Sequence, residues 1–86
     1  MKTTYKYPLQ ITDQQTVTMP AGAQILHVGL GPHGDVCLWA LVDSGKPTEL
    51  RHIVVTGTGH PVPDGVTYLG SVTSGIFVWH VWEAPS

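Results

Sequence analysis

The chain has 86 residues, is 42 % hydrophobic and only 12 % charged, and so is too apolar for a disordered segment and of a size for one domain, 1–86. Its formal net charge is −2, with Lys2, Lys6, Lys46 and Arg51 as the permanent cations, a balance that speaks against binding nucleic-acid backbones or an electrostatic membrane anchor. No apolar run approaches the ~20 residues of a membrane span, the N-terminus lacks the apolar stretch of a signal peptide, and the lone Cys37 leaves no intrachain disulfide, which fits a reducing cytoplasm.

Area scaling for this mass gives roughly 5,000 Å² exposed when folded against roughly 13,500 Å² for the extended chain, a marginal burial for a lone domain. Low charge leaves much neutral or apolar surface, so the expectation is a homo-oligomer.

Taken in order, Tyr5, Tyr7, Leu9 and Ile11 alternate with Lys6, Pro8, Gln10 and Thr12 and predict a strand with one wet face, which Pro8 makes either an edge strand or one whose backbone faces solvent at that position. Thr16–Met19 predicts a short second strand stopped by Pro20. Ala23–Leu30 predicts a third, with Leu26, Val28 and Leu30 on one face and Ile25 and His27 on the other. Gly31-Pro32-His33-Gly34-Asp35 has the chemistry of a hairpin loop. Val36–Val42 is apolar on both faces and predicts a central strand that buries Cys37. Leu50–Val55, Thr67–Val72 and Ile76–Trp82 complete the set. No segment has helical spacing. Short strands about ten residues apart predict an all-β fold, a small antiparallel barrel or sandwich of six to seven strands, with consecutive strands paired.

One stretch stands out chemically, Thr56-Gly57-Thr58-Gly59-His60-Pro61-Val62-Pro63-Asp64-Gly65. A strand that runs into it stops pairing and exposes backbone, and the prolines stiffen the chain around them. Gly57, Thr58, Gly59 and His60 are therefore the candidate ligand-binding residues, with Arg51 supplying charge for a small anion. The P-loop lysine and the dinucleotide spacing are both missing. The alternative is an imidazole that hydrogen-bonds its own loop and pins it. A His60/Asp64 acid–base pair would make a hydrolase or lyase, the weaker reading. His27, His33, His52, His60 and His80 are scattered without metal-ligand spacing, although His52 and His80 could meet across strands. No metal or other cofactor is expected. Trp39 and Trp79 are expected in the core, whereas Trp82 and His80, on one strand face, are the candidate interface residues.

Five stretches in order, Tyr5-Lys6-Tyr7-Pro8-Leu9, Met19-Pro20-Ala21-Gly22-Ala23 with Ile25-Leu26, Cys37-Leu38-Trp39-Ala40-Leu41-Val42-Asp43, Gly57-Thr58-Gly59-His60-Pro61 and Phe77-Val78-Trp79-His80-Val81, resemble a small domain family of unknown function frequent in bacteriophage and prophage genomes. The resemblance covers nearly the whole chain and carries no catalytic residues. It implies a phage accessory protein in the host bacterial cytoplasm. Small phage β proteins of that kind often counter host defence, by blocking a host protein or trapping a nucleotide signal. The resulting expectation is a non-enzymatic binding protein, partnered by itself and by a nucleotide-like ligand or a host defence protein. A protein–protein adaptor and a virion component are the alternatives.

Overall fold

The computed structural model describes residues 1–85. Seven strands, β1 (Lys2–Pro8), β2 (Gln15–Pro20), β3 (Gln24–Leu30), β4 (Val36–Asp43), β5 (Thr48–Gly57), β6 (Thr67–Ser74) and β7 (Phe77–Ala84), account for its regular structure, and none of the described residues is helical. No helix among them is therefore long and apolar enough to cross a membrane.

All pairings are antiparallel, in two sheets with strand orders β1-β4-β3 and β2-β5-β7-β6. The sheets pack face to face without closing into a barrel, so the fold is a sandwich. Every predicted strand exists. The pairing departs from the expectation, because only β3/β4 and β6/β7 are consecutive neighbours. β1 and β2 belong to opposite sheets, as do β4 and β5. Pro8 does lie on an edge strand, at its last position, where a missing N–H is tolerated.

The core is aliphatic. Val36, Leu38, Ala40 and Val42 project from β4, and Ile53, Val55 and Val81 from β5 and β7. Met19, Val28 and Val72 close the space between them. Leu9 is buried there just past β1, whereas Ile11, expected on the same strand face, lies beyond it and is exposed. Cys37 is fully buried, as its apolar run predicts. Burial pushes its thiol pKa up, and the hydrogen bond from its Sγ to Asp35 adds to the rise, so the thiol stays protonated and unreactive.

The tryptophans correct an expectation. Trp79 packs half-buried against the core, but Trp39 stands on the outer face of its sheet, opposite in direction to Leu38 and Ala40. The run Val36–Val42 is apolar on both sides, yet only one side meets a second layer.

Two bulges reset the alternation. In β3 the extra residue is Leu26, which is 51 % exposed, while Ile25 joins Val28 against the core and His27 points outward. The expected grouping of Leu26 with Val28 therefore fails by one residue. In β6 the extra residue is Leu69, and Gly70 comes directly after it. A Cβ at Gly70 would lie 3.0 Å from Cβ of Val28, so this glycine lets the two sheets approach at β3 and β6.

Because Leu38 is completely enclosed, Leu38→Ala should lower unfolding free energy by about 2–5 kcal/mol, and Thr18→Ala on the exposed outer face by less than about 0.5 kcal/mol. Urea unfolding monitored by tryptophan fluorescence measures both.

Candidate functional site

Strand β7 lies between β5 and β6, and both are antiparallel to it. The chain leaving β5 at Gly57 must therefore return along the sheet before it can start β6. Thr67 is level with Ile53, since both pair with Glu83. The return is about 13 Å along the strands and about 10 Å across them. The inner face is filled by the other sheet, so residues 58–66 run over the outer face. His60, Pro61, Val62 and Pro63 share a depression with Val54 and Thr56, and Pro63, Asp64 and Val66 share another with His52 and Val54. Val54 points away from the core and is nonetheless buried. Residues 58–66 thus form a strap with two turns and an extended middle.

Sequence chemistry explains that shape. The first turn is closed by the His60 N–H donating to the Gly57 carbonyl at 3.1 Å, with Gly59 at φ 87°, a conformation side-chain-bearing residues rarely adopt. Pro61 and Pro63 hold the middle extended. Asp64-Gly65 makes the second turn, with Gly65 at φ 77°.

The first turn is the predicted corner. Gly57, Thr58 and His60 line an open depression of about 440 Å³ together with Ile76, Phe77, Val78 and Trp79 from the β6–β7 hairpin. His60 is exposed, with its ring against Gly57. Phe77 stacks on Trp79 with centroids 5.5 Å apart and planes at 21°. Asp64 lies at the far turn of the strap, beyond Pro61-Val62-Pro63.

Arg51 is elsewhere. It lies six residues back along β5, about 20 Å from Gly57. Its Nε and Nη2 donate to the two carboxylate oxygens of Glu83, the latter at 2.9 Å, and Nη1 donates to the Ala23 carbonyl at 2.8 Å. Hydrogen bonding to Glu83 raises its pKa further. The forked pair fastens β5 to β7 and to the start of β3, with both side chains mostly buried. The structure does not bring it to the corner.

His80 and Trp82 lie on the outer face of the four-stranded sheet. His80 Nε2 is 2.9 Å from Thr58 Oγ1 and Nδ1 is 2.7 Å from Ser71 Oγ, which is itself 2.5 Å from the Tyr68 hydroxyl. Trp82 Nε1 donates to the buried Thr56 hydroxyl at 3.1 Å, and its ring meets Tyr68 edge-on at 5.1 Å. His80 thus pins the first turn of the strap to the sheet, a role expected of His60. His52 shares this face but stands four residues from Thr56, the partner of His80, so the two imidazoles do not meet. Among the described residues no three His, Cys, Asp or Glu side chains gather as metal ligands.

Sequence reasoning does not single out Ser71 and Tyr68. Strict alternation puts positions 68 and 71 on opposite faces, and the bulge at Leu69 brings them together. The usable signal is Gly70 inside a strand.

A family model for a domain of unknown function, DUF7352, matches residues 1–86. The chain belongs to the DUF7352 family. No curated protein and no solved structure matches it.

The Thr58–His80 contact should be measurable. Thr58→Ala and His80→Ala should couple by about 0.5–1.5 kcal/mol in a double-mutant cycle, and either change should speed amide exchange in residues 58–66.

Proposed function

We propose that this chain is a non-enzymatic binding protein that engages a protein partner through the corner formed by Thr58, His60, Ile76, Phe77 and Trp79. The observation that supports this is the apolar hairpin tip: Ile76 is 92 % and Phe77 56 % exposed, and Phe77 is stiffened by stacking on Trp79. Large exposed apolar groups on a rigid support, rimmed by a hydroxyl and an imidazole, have the chemistry of a binding hot spot. The corner is lined by no permanent cation, and Arg51 is held by Glu83. Protein docking therefore suits this corner better than capture of a nucleotide-like anion by Gly57, Thr58, Gly59 and His60.

The family resemblance supplies the setting of the proposal: a phage or prophage accessory protein that blocks a host defence protein in the bacterial cytoplasm. The same apolar tip gives a second copy of the chain a place to bind, in keeping with its low charge.

An Ile76→Glu/Phe77→Glu variant tests the reading, because both positions lie at the exposed hairpin. Wild-type protein should retain a stoichiometric host partner, or form a defined oligomer by light scattering. The folded variant should lose that association by at least about tenfold in affinity. Undiminished association in the variant contradicts the proposal.

A further inference from the structure

The outer face of the three-stranded sheet carries a row of side chains that neither the core nor the corner uses. Trp39 on the central strand has Lys6 directly opposite on β1 and His27 directly opposite on β3. The His27 and Trp39 rings lie 5.4 Å apart with planes inclined at 38°. His27 is exposed and Trp39 half-buried, so the pair offers an aromatic ledge to solvent.

Two residues along β4, Leu41 and its partner Gln24 border a depression of about 200 Å³ that Lys2 and Lys46 also line. Lys2, Lys6 and Lys46 are three of the chain's four Lys and Arg residues, and the fourth, Arg51, is tied to Glu83. Asp43 is the acid at this depression. Its carboxylate accepts from the Met1 ammonium at 3.1 Å and from the Gly45 amide at 3.2 Å. A chain with a net charge of −2 thus gathers its free permanent cations on the side of one aromatic ledge.

We propose that this face binds a nucleoside phosphate, with the base stacked on Trp39 and His27 and the phosphate held by Lys2, Lys46 and Lys6. Every base has a face that stacks on an aromatic side chain, so a flat sheet surface suffices and no deep cavity is needed. Lysines act here as point charges on flexible stems, which suits a mobile phosphate and makes binding salt-dependent. Trp39 and Leu41 are separated by about 7 Å along the strand, a gap that one ribose spans. Three cations suit one nucleotide better than a long strand, whose affinity grows with the number of phosphates neutralised. This site is separate from the hairpin corner and stands or falls independently of it.

The test is a titration of the intact protein with adenosine 5′-monophosphate at low salt, read by tryptophan quenching and calorimetry. Adenosine, inorganic phosphate and octathymidylate serve as comparison ligands. The nucleotide should bind with a Kd of about 1 mM or tighter, and adenosine and phosphate at least about tenfold more weakly. Trp39→Leu should remove the quenching. Lys2→Glu and Lys46→Glu, both at exposed positions that leave the fold intact, should each weaken binding by about fivefold or more. Absence of nucleotide binding overturns the proposal, as does binding that survives both lysine variants or is lost with His60→Ala instead. Octathymidylate binding more than about a hundredfold tighter than the mononucleotide would reassign the face to single-stranded nucleic acid and overturn it too.

Discussion

Insertion of β7 between β5 and β6 is the constraint on which the rest of this molecule depends. Two strands that run the same way cannot be joined by a tight turn, so the intervening chain has to travel back over a face of the sheet. Only the outer face is free, and that fixes the path of residues 58–66. The glycines, prolines and aspartate of this segment then read as mechanical parts: a turn, a stiff span, a second turn. Val54 is buried away from the core beneath that span. Thr58 is held by His80, and His60 is left at the surface beside the hairpin tip.

Around this arrangement the side chains divide the work. A small aliphatic core supplies cohesion and contains no tryptophan. The large rings sit at its margins or outside it, where they shape two separate surfaces: Phe77 and Trp79 at the corner, His27 and Trp39 on the opposite sheet. The single strong ion pair among the described residues is placed where three strands must be held together. Its arginine contacts a carboxylate on β7 and the carbonyl just before β3. A charge so fully engaged fixes how these strands sit against one another and is not free to recruit a ligand.

Much of the fold is legible in the sequence, because strands, loops and turn residues are local matters. All seven strands and the Gly31–Asp35 hairpin emerge from alternation and turn chemistry. What alternation cannot show is which strands pair, since that depends on contacts between distant segments. It also cannot show an added residue. The bulges at Leu26 and Leu69 each invert the pattern beyond them, which misplaces Leu26 and hides the Tyr68–Ser71–His80 chain. Trp39 reads as a core residue because a run apolar on both sides looks like one covered on both sides. The Gly57–His60 corner is visible from its breakers alone. Its apolar half, Ile76 and Phe77, is not, because the hairpin reaches it from elsewhere in the chain.

The most direct test of this account is a backbone NMR measurement of cross-strand contacts to His80. With β7 inserted between β5 and β6, His80 is the register partner of both Thr56 and Ser71, and both contacts should be present in one spectrum. Contacts from residues 54–57 straight to 67–70, with none from His80 to Thr56, would mean that β5 and β6 form an ordinary hairpin. The strap, the exposed corner and its pinning by His80 would then all be wrong.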